Sequence, residues 1–452
     1  MIFRFSRWIF LLCAVAMAAP SQVFTTLVDF NGTNGSAPDA ALIEGFGGQL
    51  YGTTYSGGTS NAGTIFRVSP QGAFTSLFSL SSPDGVNPEA ALLLAPNRLL
   101  YGVASAGGAT GNGTVFQITP EGTLTVLHTF DLTDGAWPIG LVQAFNGTLY
   151  GTTYRGGTQQ NGTIFKITPG GALTTMHNFG AGYYFSPFAA PVQASNGLLY
   201  GTTFYGGAYG GGAIYTISLG GAFTTICSFS GGPDGAAPAD ALVQGNDGNL
   251  YGTTEFGGLS SNVGTVFQIT PAGVLTTLHA FGNTDGARPQ AGLVQGTDGN
   301  FYGTTQAGST GDWGTVFRIT PSGTLTTLHR FALVDGEEPL GGLVQHTDGA
   351  FYGTTTSGGS SGNGTIYRLS VGLGPFVKTL PAFGTAGTTV TIMGSNFTGA
   401  TSVTFNGIAA AFTVLASYEI TATVPAGATT GTVQVVTPSG TLSSNTAYQV
   451  LP

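Results

Sequence analysis

The 452-residue chain is short of charge: Asp, Glu, Lys and Arg make up only 7% of it, against 11% aromatic residues and 76 glycines. Disordered chains are highly charged and poor in aromatic and β-branched residues, so this composition argues for many short strands joined by glycine-rich turns. Basic residues are the scarcer sign, 11 against 20 acidic. A scattered minority of cations leaves no footprint for neutralising phosphates, which argues against a nucleic-acid partner. Cysteine is almost missing. Cys13 lies in the N-terminal segment and Cys227 has no second thiol to pair with, so no intrachain disulfide is expected after processing. Beyond the first 18 residues no apolar run approaches the roughly 20 residues of a spanning helix. H-E-x-x-H is absent, as is any glycine-rich stretch opening a helix, so no catalytic residue, metal or cofactor is expected.

The chain begins with Arg4 and Arg7, an apolar run from Trp8 to Ala16, and the small-x-small sequence Ala16-Met17-Ala18. That order describes a secretory signal peptide over residues 1–18, cleaved after Ala18, and places the mature protein outside the cytoplasm, secreted or extracytoplasmic. Lipidation at Cys13 is disfavoured because Leu12 sits where a small residue is required.

From there to Ser370 one unit recurs roughly every 50 residues, a period that belongs to stacked or circular units. The tyrosine of Y-G-T-T or its variant falls at Tyr51, Tyr101, Tyr150, Tyr200, Tyr251, Tyr302 and Tyr352; G-T-[IV]-[FY] or a variant ends at Phe66, Phe116, Phe165, Tyr215, Phe267, Phe317 and Tyr367. A third mark, a Thr-rich strand, ends at Leu80, Phe130, Phe179, Phe229, Phe281 and Phe331, and the last copy lacks it. The missing strand stands at the other end, where Val23 to Phe30 reads V-F-T-T-L-V-D-F. A ring closed by its own N-terminus needs that displacement, whereas an open solenoid leaves it unexplained. In the sixth copy strands are expected at Gly292 to Gln295, Asn300 to Thr305, Gly314 to Thr320 and Thr324 to Phe331, with tight turns at Asp298-Gly299 and Pro321-Ser322-Gly323. The expectation is therefore all-β: a seven-bladed β-propeller over 19–370, each blade four-stranded, and the ring closed by the N-terminal strand. A linker follows over 371–381. Residues 382–452 then read as closely spaced short strands, a small immunoglobulin-like sandwich.

The Y-G-T-T, G-T-V-F-x-I-T-P-x-G and L-T-T-L-H-x-F order over residues 22–370 resembles the choice-of-anchor GloVer tandem-repeat family of exported bacterial proteins. The tail resembles an IPT/TIG domain through Gly387 to Phe397, Val403 to Gly407 and Ile420 to Gly427. The resemblances imply an exported surface or secreted role, with the C-terminal module as a spacer or adhesion unit. They supply no catalytic residue.

Candidate chemistry is thin. His128, His177, His279 and His329 share one slot, filled elsewhere by Val28, Phe78 and Cys227; one histidine per blade cannot converge on a metal, so a packing position between blades is expected. Asp84, Asp134, Asp234, Asp285 and Asp335 each open D-G-x-x-P, with Asn34 and Tyr183 in the other copies, and read as turn residues. Glu255, Glu337 and Glu338 break the repeat and are the acids that an extracellular polysaccharide lyase or hydrolase would use. The loops after the second and fourth strands emerge on one face and vary; they hold Tyr55, Trp137, Tyr154, Arg155, Phe204, Tyr205, Glu255, Phe256, Arg288, Trp313 and Glu337. Variable loops on a rigid scaffold carry binding residues. The candidate ligand-binding set is Trp137, Tyr154, Arg155, Tyr205, Glu255, Phe256 and Trp313. An extracellular glycan or a surface protein is the expected partner of a non-enzymatic scaffold.

Overall fold

A computed structural model of the chain describes residues 22–180, 186–258, 261–309 and 311–452. The expected signal peptide and Tyr183 lie outside the described residues. Among the described residues strand dominates, and the helical element is one 3-10 turn, Phe46–Gly48.

Residues 23–370 build four-stranded antiparallel sheets, seven among the described residues, in the manner of a β-propeller. In the sixth copy the strands are Val294–Gln295, Phe301–Thr305, Thr315–Ile319 and Leu325–Arg330, paired in chain order. The last sheet takes Val344–Gln345, Phe351–Thr355 and Thr365–Ser370 from one end of the region and Val23–Asp29 from the other. Val23 pairs with Ser370 and Asp29 with Thr365, so the N-terminal strand is the outermost member of that sheet. The apolar cores run in a circle. Tyr302 and Val316 of the sixth sheet pack with Phe351 and Tyr367 of the seventh, and Tyr352 and Ile366 of the seventh pack with Leu42, Leu50 and Phe66 of the first.

The repeated sequence marks are packing requirements. The glycine of Y-G-T-T lies under the aromatic ring of the next strand: a Cβ on Gly252 would stand 2.7 Å from Phe267 Cζ, closer than any side chain tolerates. The second threonine bonds the first threonine of the neighbouring strand, as in Thr254 with Thr265 (2.8 Å) and Thr305 with Thr315 (2.8 Å), satisfying two buried hydroxyls together. The tyrosine hydroxyl reaches the turn, where Tyr302 donates to Asp298 (2.9 Å) and Tyr352 to Asp348 (2.9 Å).

At the turn face, the glutamine ending the short first strand of the fourth to seventh sheets ties each to the one before. Gln244 Oε1 accepts from Ser195 N, Gln295 from Asn246 N and Gln345 from Thr297 N. The first sheet carries Glu44 in that slot, and its carboxylate accepts from Thr347 N and Oγ1 across the seam where the ring closes.

The C-terminal region forms two four-stranded sheets about one core that includes Val390, Ile392, Val403, Phe405, Ile420 and Val433. It begins earlier than the sequence suggested. Lys378–Leu380 is already a strand paired with Thr389–Met393, and Val377 is fully buried in the core, so part of the expected linker belongs to the module. The expectation of a spacer also meets a different arrangement, for the module is packed on the turn face. Arg98 bonds Glu419 (2.7 and 3.2 Å) and lies 3.9 Å over the Phe46 ring; Phe145 meets Phe383; Asn445 donates to Gln295 O (2.7 Å); Lys378 pairs with Glu44 (2.9 Å); and Phe376 N bonds Thr347 O. With an Asn246–Asn445 bond added, turns of six sheets touch the module, which sits over one end of the ring's axis. His346 is buried among these groups, 3.3 Å from Glu44 and 3.1 Å from Asp348. Burial opposes its charge, yet Asp348 and Glu44 outweigh burial and its pKa lies above the ordinary value. Burial likewise opposes the Asp348 carboxylate, and His346 overrides it, bringing that pKa down to about 2.

Candidate functional site

The other end of the axis is open, and the residues around it are placed by the D-G-x-x-P segments. The residue before each proline has a left-handed backbone: Ala37, Asn87, Trp137, Ala237, Arg288 and Glu338 all have φ between 53° and 58°. Such a conformation is costly for a residue with a side chain, and the residue before proline is steered away from helical backbone as well, so it persists only where its surroundings enforce it. Here they do so on both sides. Trp137 N donates to Asn112 O of the preceding sheet, and Arg288 and Glu338 donate likewise to Val263 O and Trp313 O. Their own carbonyls accept in turn from the loop that follows, as Ala237 O does from Glu255 N and Arg288 O from Gln306 N.

That clamp aims the residue after the proline inward. Asp39, Glu89, Ile139, Phe188, Ala239, Gln290 and Leu340 all line a cavity of about 510 Å³ at the mouth, with Ala40, Ala90, Ala189 and Asp240 beneath them. A concave, mainly apolar site with a few directed polar groups is the usual form of a small-ligand pocket. Among the described residues no Lys, Arg or His lines it.

Its carboxyls are held out of water. Burial drives the pKa of Asp39 up to about 7, with Glu89 and Glu338 adding repulsion. The Thr356 hydroxyl favours the charged form from nearby but lacks hydrogen-bond geometry: Asp39 Oδ1 and Thr356 Oγ1 are both buried without a partner. Burial also raises Glu89, against donors on both oxygens, Ser105 Oγ to Oε1 (3.1 Å) and Trp137 Nε1 to Oε2 (3.1 Å). Burial raises Asp240, which accepts from the backbone N–H groups of Ala241 and Gly292. A raised carboxyl pKa means that folding favours the protonated form. The stability tied to Asp39 is therefore complete below its ordinary 3.8 and lost as pH rises through about 7. Asp39→Asn is expected to leave the melting temperature at about pH 4 nearly unchanged. At about pH 8 it should raise stability by on the order of 2 kcal/mol, read from thermal melts at the two pH values.

Beside the acids runs a row of rings: Trp137 to Tyr154 at 5.0 Å between centroids, Tyr154 to Phe188 at 5.6 Å, Phe188 to Phe204 at 5.4 Å, and Phe204 to Tyr205 at 4.7 Å. The exposed Arg155 guanidinium lies 5.6 Å from both the Trp137 and Tyr154 rings. Of the residues expected from sequence, Trp137, Tyr154, Arg155 and Tyr205 thus form one continuous feature. Glu255 is 8% exposed; burial raises its pKa, while Gln290 and Arg288 pull part of that back. Phe256 faces Arg288, 5.8 Å away. Trp313 packs against the core between the sixth and seventh sheets, with Phe24 and Val294, and among the described residues no ring contact joins it to the row.

Asp39, Glu89 and Asp240 were not singled out from sequence. The signal for Asp39 and Glu89 was the slot after each repeated proline, the most variable position in an otherwise stereotyped unit, and Asp240 stands one residue further on, where the other copies carry Ala or Gly. A second pattern was also missed. His128, His279 and His329 bond Asp134, Asp285 and Asp335 six residues on, at 2.7, 2.9 and 3.0 Å, so the two repeating residue types read separately as packing and turn residues are partners. Each pair belongs to a different sheet, and among the described residues no group of three or more His, Cys, Asp or Glu is placed to hold a metal. His177 instead stacks on Phe223 at 3.9 Å, and burial lowers its pKa.

Among solved structures the chain is similar to a streptogramin B lyase, at 17% identity and a TM-score of 0.56, over 77% of this chain and 97% of that one. It is similar to the same extent to a virginiamycin B lyase from Staphylococcus aureus, 17% identical with a TM-score of 0.56, over 77% of this chain and 99% of the other. At that identity the likeness concerns the fold. No curated protein matches the sequence. The model of the Gloeobacter/Verrucomicrobia repeat matches residues 14–203 and 186–414, which is most of the chain, and the protein belongs to that repeat family.

Proposed function

We propose that the protein is an exported, non-enzymatic recognition scaffold, a seven-bladed β-propeller that binds an extracellular glycan at the open mouth of its channel. The C-terminal region is an immunoglobulin-like module of the IPT/TIG kind that closes the opposite end. The observation that carries this reading is the unbroken row from Trp137 to Tyr205 beside the cavity. Aromatic faces on a fixed frame bury the apolar faces of sugar rings at little entropic cost, and the neighbouring carboxyls accept hydroxyl hydrogen bonds. A chain carrying Trp137→Ala and Tyr154→Ala is expected to lose at least tenfold in retention on a polysaccharide array while its melting transition stays cooperative. Equal retention by the two chains would remove the proposal.

One observation favours a second reading. A buried carboxyl with a raised pKa, such as Glu255, is suited to donate a proton, as a polysaccharide hydrolase or lyase working with Glu337 or Glu338 requires. Release of reducing ends from bacterial or plant polysaccharides, abolished by Glu255→Gln, would replace the binding reading with that one.

A further inference from the structure

The cavity at the mouth holds three carboxyls, from Asp39, Glu89 and Asp240, and no cationic side chain lines it. None of the three takes part in an ion pair among the described residues. At the module interface the buried acids are paired, Glu44 with Lys378 and His346 and Glu419 with Arg98. Arg98 and Lys378 serve the module interface, and at the mouth Arg155 lies over the outer aromatic rings and does not line the cup. Asp39 shows the consequence at the atomic level, with Oδ1 buried and lacking a partner beside the equally unpartnered Thr356 Oγ1. Three carboxyls around one cavity with no cation lining it call for a donor that enters the cavity.

The geometry narrows what that donor is. Glu89 is not free to turn, because Ser105 holds one oxygen and the Trp137 indole N–H the other. The same indole ring begins the aromatic row. A carboxylate and a ring face joined by one hydrogen bond are matched by a ligand that carries a cation and a flat apolar face within a single small ring. A bare metal ion has no use for the indole, and the described residues offer no metal-binding cluster.

We infer that the cup takes the ammonium group of an amino sugar, with Asp39 and Glu89 accepting its N–H bonds while the sugar ring lies against Trp137 and Tyr154. The inference rests on the recognition reading above and specifies its ligand class: a polysaccharide bearing free amines rather than acetylated or neutral sugars.

The test is calorimetric titration of the full chain at neutral pH with a β-1,4-linked glucosamine tetramer, the N-acetylated tetramer, and tetralysine. The free-amine tetramer is expected to bind at least tenfold tighter than either of the others. The paired change Asp39→Asn with Glu89→Gln should abolish that preference while keeping a cooperative melt; if the pair fails to fold, Asp39→Asn alone should reduce the preference severalfold. Trp137→Ala should weaken both sugar tetramers. Equal or tighter binding of the acetylated tetramer, still sensitive to Trp137→Ala, overturns the ammonium inference and leaves glycan recognition standing. Binding of tetralysine as tight as that of the amine tetramer overturns the sugar assignment. If neither sugar tetramer binds while neutral polysaccharides do so through Trp137, the inference falls alone; if no saccharide binds at all, the recognition reading falls with it.

Discussion

A chain that begins at Asn31, lacking Val23–Asp29 and Phe30, is expected to lose its cooperative melt and to self-associate. Two aromatic anchors go with that strand. Phe24 stacks on His329 at 3.7 Å and on Tyr367 at 5.3 Å, and Phe30, fully buried, packs on Phe66 and Phe74. Full burial of a Phe contributes about 1.5–3 kcal/mol, and each ladder hydrogen bond about 0.5–1.5 kcal/mol net. Even before the strain of an open ring, the loss is comparable with the roughly 5–15 kcal/mol that holds a whole domain together. The exposed edge of Thr365–Ser370 becomes a template for a strand from another chain. A synthetic peptide of residues 22–30 added in trans should restore a monomer with a single transition, measured by light scattering and calorimetry. A truncated chain that melts like the full one would mean that the ring does not depend on its first strand.

Glu44→Ala is expected to cost about 3 kcal/mol or more, because it removes one partner from a buried charged cluster and leaves the others uncompensated. Glu44 is 2% exposed in its side chain and serves the closing seam through Thr347 and the C-terminal module through Lys378. Lys378 is 30% exposed, so water makes up part of its loss and holds the figure toward the low end of such cases. Glu44→Gln restores the side chain found at the equivalent position in most other sheets. It should cost markedly less, because its amide oxygen still accepts from Thr347. Chemical denaturation of the three chains distinguishes the outcomes, and equal midpoints for Ala and Gln would mean that the charge contributes nothing at the seam.

The ring was legible in the sequence because its determinants repeat. Gly252 and its equivalents, the paired threonines and the turn-bonded tyrosines recur at fixed spacing, and the strand that the last sheet borrows is visible as a displaced copy at Val23. The open mouth was half legible. Trp137, Tyr154 and Tyr205 stood out as aromatic departures in variable loops, whereas Asp39 and Glu89 sit beside alanines in a slot where each copy differs, and their meaning depends on which way the left-handed residue before the proline turns the chain.

The docking of the C-terminal module was hidden for another reason. It rests on residues hundreds of positions apart, such as Arg98 with Glu419. Its trace in the sequence lies in two departures from the repeat. Arg98, with φ of 68°, stands where other turns place glycine, and Glu44 stands where most other sheets place glutamine. Both departures grip the module, and both look like noise until the module is in place.

Trp137 reports directly on whether a saccharide binds at the open mouth. With Trp313→Phe, Trp137 is the one tryptophan left outside the N-terminal 18 residues, and its emission is expected to shift and quench on titration with a bound saccharide. The complementary chain, Trp137→Phe with Trp313 retained in its core position, should stay silent. A response from Trp313 with none from Trp137 would place the ligand elsewhere and contradict the account.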